Sequence, residues 1–393
     1  MSTDFGKIEN VIEAKFRIVT PMFLGGADQQ AEDIRPSSVK GMLRFWWRAL
    51  NWSRLRGVAG ETDTSALSKL HDEEARLFGS AANDGKGGQG VFLLSVQTQN
   101  KQIGKPAIPQ FSSLHYMAGQ GVVFQKDASK DRNALLSGEF TVKLRFRDTT
   151  NEHQRSSVVE ALRVFGLLGG MGARGRRGFG SIALLEINGV ATASLPITVA
   201  EYRQAINQLL GTDLSAQEPP LTALSRTAKI AFSQAAKDPM KVIEIIGKEM
   251  GLYRGFGMKR PTDSEHKTFG IKSEQNFTTD HNEMLNVAKG QTANQHPKRL
   301  IFGMPHNYFF SSAKKSAQIQ KTVGRLERRA SPLLVHVHPI RSDYIGVLLM
   351  MRSTFLPPGE KVLIGRSEVA VAVDWKVIET FMQRPAFTQG AKA

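Results

Sequence analysis

One stretch, Arg35–Trp52, constrains the fold more than any other part of this sequence. When it is drawn as an α-helix with about 100° between successive residues, its apolar positions share one narrow stripe, which predicts a buried face. These positions are Val39, Leu43, Trp46 and Leu50. Pro36 disfavours helix immediately before it, and Ser37 or Ser38 is a suitable N-cap. The chain must therefore build a core against one side of this helix.

A second flank of the same helix carries a row of cations. Lys40, Arg44 and Arg48 follow one another about one turn apart, and no Asp or Glu occurs between Lys40 and Gly60. A solvated helix face normally mixes charge signs. A row of cations beside the free N–H groups of a helix start suits a phosphate chain. A structural alternative stays open, because amphipathic helices often have charged outer faces and both Trp46 and Trp47 could be core residues.

A further stretch, Phe165–Ser181, combines glycine with arginine. Its glycines allow the backbone to approach a ligand closely, and Arg174, Arg176 and Arg177 add positive charge. It is not a Walker loop, since no Gly-Lys-Ser/Thr follows, and it is not a dinucleotide fingerprint, since the glycines follow a helix and precede a strand. We interpret it as a phosphate-binding loop, with a flexible connector as the alternative.

Composition narrows the classes of function. The 52 Lys and Arg residues exceed the 36 Asp and Glu residues, and the formal net charge of +16 favours a polyanionic partner. The absence of cysteine excludes disulfides, cysteine nucleophiles and thiolate metal sites. The first residues lack the pattern of a signal peptide, and the longest apolar runs are too short for a bilayer. We therefore expect a cytoplasmic protein without a membrane partner.

The order of the predicted elements gives the fold class. Strands and helices follow the order β-α-β-β-α-β of a ferredoxin-like fold, at 14–20, 38–56, 91–98, 139–147, 154–168 and 181–187. The first and third strands are neighbours in that fold. Lys15 and Arg17 are therefore expected beside Lys143, Arg145 and Arg147, as a second basic patch that another part of the chain could cover.

We predict an α+β protein with two ferredoxin-like domains that carry long insertions. Residues 1–190 form the first domain, with the glycine-rich loop at 166–180, an insertion at 99–138 and a polar glycine turn at 83–90. Residues 191–223 form a linker with a short helix. Residues 224–393 form a second, degenerate domain with strands near 298–310, 333–340 and 344–356 and a closing helix. A basic run lies between these strands: Lys314, Lys315, Lys321, Arg325, Arg328 and Arg329.

Histidines are the candidates for chemistry. His336 and His338 share one face of a predicted strand, but a metal site needs three or four ligands and no further one is close in sequence. His115 with Tyr116 could act as acid and base in metal-free RNA cleavage, although nothing nearby marks this histidine as activated. His71 fits a solvated helix start. We predict no metal, no cofactor and no catalytic residue.

The cationic helix and the glycine-rich loop resemble a known family. The segments 20–26 and 34–49 resemble the signature of the RAMP superfamily of CRISPR-associated proteins, and more specifically the first subunits of type III-B (Cmr) effector complexes. The segment 172–181 resembles the glycine-rich loop that RAMP proteins share. The short segments 302–305 and 328–333 are also similar.

This resemblance implies a non-catalytic RNA-binding subunit, placed near the 3′ end of the guide RNA, that helps to capture target RNA in antiviral defence. The implied partners are guide (CRISPR) RNA, target RNA and the other Cmr subunits. The implied RNA-binding residues are Arg35, Ser38, Lys40, Arg44, Arg48, Arg174, Arg176 and Arg177. Two alternatives stay open: a RAMP endoribonuclease that processes CRISPR transcripts, and a scaffold subunit whose basic faces dock acidic proteins.

Overall fold

The computed structural model describes residues 10–25, 32–81, 88–119, 121–124, 127–188, 190–191, 198–210, 214–311 and 313–392. Gly26 and most of the glycine turn predicted at 83–90 lie outside these residues. The helices are α1 Pro36–Arg56, α2 Asp63–Phe78, α3 Ser113–Ala118, α4 Glu152–Leu168, α5 Val199–Leu210, α6 Pro239–Arg254, α7 Thr278–Ala288 and α8 Lys376–Met382, with 3₁₀ turns at Ala128–Lys130 and Lys298–Phe302.

The strands form three larger sheets and two short hairpins. They are β1 Val11–Ile18, β2 Gly79–Ser80, β3 Gly88–Gln89, β4 Phe92–Gly104, β5 Ala134–Phe146, β6 Ile182–Ile187, β7 Val190–Ala191, β8 Lys229–Ser233, β9 Lys267–Thr268, β10 Ile271–Lys272, β11 His306–Phe310, β12 Lys315–Thr322, β13 Leu333–Ile340, β14 Asp343–Met350, β15 Lys361–Ile364, β16 Ser367–Ala370 and β17 Phe387–Lys392.

The first sheet has the strand order β4-β5-β1-β6-β7. Its first four strands with α1 and α4 follow the ferredoxin-like order, and the predicted pairing of the first and third strands is confirmed by the antiparallel register of β1 with β5. Alternate residues of both strands are buried, and the rings of Phe16 and Phe140 stack with centroids 5.1 Å apart. Helices α1 and α4 pack on this apolar face because their own apolar stripes match it.

The second sheet has the order β13-β14-β8-β17. Together with α6 and α8 it repeats the ferredoxin-like order, so the α+β class is confirmed. The sequence pattern missed the last strand, β17, which pairs with β8. One buried apolar cluster continues from the first sheet to Phe232 and Val347 of the second sheet, so the two sheets share a core.

A third sheet, β11-β12-β15-β16, lies outside both repeats and packs on α7. The sequence analysis did not predict it as a separate layer. The strand predicted at 298–310 is wrong in its first half, because residues 298–302 form a 3₁₀ turn and Gly303 has a φ of +114° before the chain enters β11. None of the helices in the described part of the chain combines the length and the apolar character that a bilayer crossing requires.

Two further expectations are corrected by the chain's packing. Strands β4 and β5 are longer than predicted, so the two ends of the expected insertion at 99–138, residues 99–104 and 134–138, are strand. The boundary between the predicted linker, 191–223, and the second domain packs on α1: the Leu224 N–H donates to the Ala49 carbonyl at 3.0 Å, and the Ser53 hydroxyl donates to the Leu224 carbonyl at 2.8 Å. Ala223 and Leu224 are fully buried, so this segment is part of the core.

The glycine-rich loop connects the first and second sheets. The Gly178 N–H donates to the Val335 carbonyl at 3.0 Å, and the Val335 N–H donates to the Arg176 carbonyl at 3.0 Å. On the other side, the Thr20 hydroxyl donates to the Gly178 carbonyl at 2.7 Å. Gly180 has a φ of +65°, and a Cβ there would lie 2.0 Å from the Met171 carbonyl oxygen. The glycines therefore permit close backbone packing within the protein, and the alternative of a flexible connector does not fit.

We expect Gly180→Ala to lower the free energy of unfolding by about 3 kcal/mol or more, because the new methyl group clashes with backbone at a positive φ. Gly41→Ala is the matched control, since a Cβ at Gly41 meets nothing within 4 Å, and this helical position should gain about 1 kcal/mol. Urea denaturation followed by tryptophan fluorescence measures both variants. Equal stability of Gly180→Ala and the parent chain would contradict the packing role.

Candidate nucleic-acid interface

Helix α1 begins at Pro36, with Arg35 as its N-cap, and the N-cap makes no side-chain hydrogen bond. The expectation that Ser37 or Ser38 caps the helix is therefore wrong. The fixed φ of Pro36 suits the first helical position, so the helix begins at Pro36, before both serines. The Ser38 N–H donates to the Arg35 carbonyl at 3.0 Å. The exposed Arg35 side chain reaches back and donates to the Gly25 carbonyl at 2.9 Å.

The tryptophans of α1 belong to the core. Trp46 and Trp47 are both fully buried, and the indole N–H of Trp47 donates to the Ser157 hydroxyl at 3.2 Å. This part of the structural alternative is confirmed. Leu50, predicted on the buried stripe, is only half-buried.

The cationic flank faces a buried carboxylate that the sequence analysis missed. Arg44 Nε and Arg48 Nη1 both donate to Glu74 Oε1 of α2, each at 2.5 Å. The Glu74 side chain is 5% exposed, whereas those of Arg44 and Arg48 are 37% and 33% exposed. A buried carboxylate that receives two guanidinium groups is well compensated and holds both cations in place.

The charge of this flank remains positive after the pairing. Lys40, Arg44 and Arg48 carry three positive charges against the single negative charge of Glu74, which leaves two uncompensated. Lys40 is half-buried and has no hydrogen-bond or ion-pair partner among the described residues. Burial and the neighbouring charge of Arg44 lower the pKa of Lys40.

The second half of α1 is neutralised by α2. Arg54 pairs with Glu73 at 2.5 Å, and Arg56 pairs with Asp63 at 2.6 Å. Helix α1 contains no acid, and the carboxylates of α2 neutralise these arginines. The sequence of α1 alone does not reveal this pairing. Only the first half, from Arg35 to Arg48, keeps an excess of positive charge at the surface.

The arginines of the glycine-rich loop are directed toward the protein. Arg174 donates to the Ala118 carbonyl, and Arg177 donates to the Tyr116 and Met117 carbonyls at 3.3 and 3.4 Å. These carbonyls belong to the end of α3, where the helix leaves acceptors unpaired and favours cations. Burial lowers the pKa of both arginines, and in Arg177 the nearby Arg174 charge also contributes.

Arg176 joins the loop to α1. Its Nη1 donates to the Ser331 carbonyl at 2.6 Å, and its guanidinium carbon lies 5.2 Å from the centroid of the Phe45 ring. Burial and the charge of Arg329 lower the pKa of Arg176 to about 10. The structure therefore brings the loop beside the cationic helix through Arg176, whereas Arg174 and Arg177 face α3.

The second basic patch is mixed in sign. Lys15 and Arg17 both pair with Glu139, at 2.9 and 3.4 Å, and Lys143 pairs with Glu13 at 2.7 Å. The sequence analysis named only the cations of this face. The acids occupy the same alternating positions of β1 and β5, so they lie on the same face and neutralise part of its charge. This outer sheet face is largely exposed within the described residues, so it is not covered by another part of them.

The histidine pair of β13 is a buried structural group. His336 Nδ1 lies 2.8 Å from the Gly169 carbonyl, so this nitrogen carries the proton, and His336 Nε2 lies 3.2 Å from His338 Nδ1. The His338 ring stacks on Tyr202 with centroids 4.3 Å apart. No group of three or more His, Cys, Asp or Glu side chains within the described residues is arranged to hold a metal ion.

His115, the candidate acid or base, lies in α3 and is buried. Its Nδ1 accepts a hydrogen bond from the Phe111 N–H at 3.2 Å. Tyr116 is half-buried, and its ring contacts that of Phe269. This environment suits a side chain that holds a turn in place better than one that meets RNA. His71 is exposed, as expected for a solvated helix.

We expect stability to fall as the pH is lowered from 7 to 5. Burial lowers the pKa of His336 to about 3, whereas the unfolded state titrates near the ordinary value of 6.5. Over this range His336 therefore takes up a proton only in the unfolded chain. Its protonation should lower the free energy of unfolding by about 2 kcal/mol between pH 7 and pH 5.

Urea denaturation at both pH values measures this effect in the parent chain and in His336→Asn. At pH 7 the variant should have a lower free energy of unfolding than the parent chain. Between pH 7 and pH 5, however, its free energy of unfolding should fall by less than that of the parent chain. The exposed His71→Asn is the control and should behave like the parent. The same pH dependence in all three proteins would contradict the assignment.

Comparisons with known proteins find similarities that include these features. The sequence model of the RAMP superfamily matches residues 15–183, which contain β1, α1 and the glycine-rich loop. The CRISPR system Cmr subunit Cmr1-2 of Pyrococcus furiosus is 35% identical over 65 residues. That match covers 16% of this chain and spans 30% of the length of the relative.

Two solved structures align with nearly the whole chain. The crystal structure of Cmr1 from Pyrococcus furiosus aligns over 96% of this chain and 98% of its own, with 15% identity and a TM-score of 0.56. A chain in the cryo-EM structure of the Type III-B Cmr-beta bound to cognate target RNA aligns over 95% of this chain and 98% of its own, with 12% identity and a TM-score of 0.47. The Pyrococcus furiosus Cmr1 structure supports the fold described above.

Proposed function

We propose that this chain, which is a CRISPR-associated RAMP-superfamily protein resembling the first subunit of the Cmr complex, is an RNA-binding subunit of a type III-B CRISPR effector complex. The observation that carries the proposal is the charge balance on α1. Arg44 and Arg48 share one buried carboxylate and Lys40 has none, which leaves a positive surface beside the glycine-rich loop. The net charge of +16 supports a polyanionic partner.

Glu74 prepares the arginines for phosphate. It accepts from one N–H group of Arg44 and one of Arg48, so further N–H groups of each side chain remain available toward solvent. Side chains that are held before binding lose less conformational freedom when the ligand arrives. Arginine and lysine contacts to phosphates position the nucleic acid but do not read its bases. We therefore propose that this helix holds an RNA backbone.

The proposed interface extends from the helix to its neighbours. Arg35 and Ser38 lie at the helix start, and Arg176 lies beside Phe45. Arg174 and Arg177 are half-buried, and we place them at the edge of the interface, where they hold the loop and α3 in position. In the complex, we propose that this surface lies near the 3′ end of the guide RNA and helps to capture target RNA for antiviral defence. Its partners there are the guide RNA, the target RNA and the other Cmr subunits.

We expect Lys40→Gln to weaken binding of single-stranded RNA and to reduce the slope of log K against log salt by about 0.7, the value for one lost phosphate contact. Arg44→Gln should act similarly, because Arg48 still pairs with Glu74. Lys248→Gln is the control, since Lys248 is exposed on α6 and has no ion pair among the described residues. Fluorescence anisotropy titrations at several salt concentrations measure the slopes.

Removing Arg44 and Arg48 together is a poorer test. It would leave Glu74 buried without a cation, at a cost of about 3–5 kcal/mol, so lost binding would report unfolding. If folded Lys40→Gln and Arg44→Gln keep the parent slope, α1 does not contact the RNA backbone.

We further propose that this subunit is not catalytic. His115 is buried and accepts from the Phe111 N–H, which opposes its use as a general acid or base. We expect CRISPR repeat RNA to stay intact when it is incubated with the purified chain, with or without Mg²⁺, as judged on a denaturing gel. Cleavage that His115→Ala abolishes would establish the endoribonuclease alternative.

The scaffold alternative makes a different prediction from RNA binding. It expects the chain to join the other subunits without RNA and to show no salt-dependent RNA affinity. Assembly of the purified subunits before and after ribonuclease treatment distinguishes the two proposals.

A further inference from the structure

The third sheet has one buried face and one open face. Tyr308, Phe310, Ile319 and other apolar side chains point inward and pack on α7. Successive residues of a strand point to opposite faces, so the residues between them line the outer face. The register places Phe309 opposite Ser316 and Asn307 opposite Gln318 on this outer face. The described residues thus leave one side of a four-stranded sheet exposed.

An aromatic ring stands among polar side chains on this face. Phe309 is 73% exposed, more than any other large hydrophobic side chain in the described part of the chain. Asn307, Ser316 and Gln318 around it are polar, and their amides and hydroxyl can both donate and accept hydrogen bonds. A single exposed apolar residue needs no explanation by itself. Its position among uncharged hydrogen-bonding groups on an open sheet is what distinguishes it.

Cations border the same face. Lys314 immediately precedes β12, and Lys321 lies near the other end of this strand, whereas Lys315 is opposite the inward-pointing Phe310 and so belongs to the inner face. Arg325 and Arg328 follow in the next loop. All five are exposed, and within the residues that the structure describes none of them forms an ion pair with a carboxylate. This basic run of the sequence is not used by the interface on α1.

The acids near this face are fewer and partly engaged. Glu368 pairs with Lys361 at 3.5 Å, and Glu360 accepts from the Gly324 N–H at 2.5 Å. Glu327 lies in the loop that carries Arg325 and Arg328. The border of the sheet therefore has an excess of positive charge, which is complementary to a phosphate backbone.

We propose that the open face of this sheet binds single-stranded RNA, with one base stacked on Phe309 and the backbone held by the lysines at the ends of β12. A positively charged track with an aromatic stacking platform is how proteins bind single strands without reading their sequence. This inference rests on the proposed RNA-binding function and adds contacts of a different kind. Helix α1 contacts phosphates, whereas Phe309 contacts a base.

The test is a comparison of a base-containing strand with a base-free strand. The full chain is titrated with oligouridine and with the corresponding abasic ribose-phosphate strand. We expect Phe309→Ala to raise the Kd for oligouridine about fivefold or more, with an unchanged salt slope, because a stacked base is lost and no charge is removed. The abasic strand should bind Phe309→Ala and the parent chain equally, and Phe309→Trp should retain binding of oligouridine.

Phe111→Ala is the matched control, because Phe111 is also exposed, at 65%, but precedes α3 and lies outside the sheet. Lys314→Gln and Lys321→Gln should each reduce the salt slope by about 0.7 for both strands. Both lysines and Phe309 are exposed, so these variants are expected to fold.

Several results would overturn the inference. The first is that Phe309→Ala binds oligouridine as tightly as the parent chain, and the second is that it loses as much affinity for the abasic strand as for oligouridine. The third is that Phe309→Ala binds RNA normally but no longer assembles with the other subunits, which would assign the face to a protein partner. If Lys40→Gln still weakens binding in that case, the proposed function stands without this surface. If only Phe309→Ala weakens binding, the sheet binds RNA and the proposed interface on α1 is wrong.

Discussion

The rest of the structure depends on the backbone contacts of the glycine-rich loop. Its peptide groups bond on one side to the segment after β1 and on the other to β13, through Thr20, Gly178 and Val335. Such close approach leaves no room for side chains, as the position of Gly180 against the Met171 carbonyl shows. The two ferredoxin-like sheets share one core because this loop holds them together.

This constraint decides which charges are available for a ligand. The guanidinium groups of Arg174, Arg176 and Arg177 donate to main-chain carbonyls, and burial lowers their pKa. The loop therefore uses much of its charge to stabilise the protein. Helix α1, packed beside it, keeps its cations at the surface because a single carboxylate, Glu74, serves two of them.

The proposed contacts with RNA divide into two kinds. The cations of α1 suit phosphates, whose negative charge is the same for every sequence. The open face of the third sheet offers Phe309 and neutral hydrogen-bonding groups, which suit the faces and edges of bases. A chain that holds single-stranded RNA needs both, since charge supplies affinity over a distance and stacking keeps the strand in place. The third sheet lies outside the ferredoxin-like repeats and outside residues 15–183.

The local signals of the sequence were sufficient for much of the fold. Alternation in β5 and the apolar stripe of α1 act between near neighbours in the chain, so they predicted elements and the α+β class correctly. Long-range pairing was not visible. Glu74 neutralises arginines 26 and 30 residues away, and β17 completes a sheet begun at β8. By itself, therefore, the sequence determined most helices and strands of the two ferredoxin-like repeats and the excess of positive charge. Only the tertiary structure decided which cations are paired, which glycines pack against backbone and which sheet face stays open, because those depend on contacts between residues far apart in the chain.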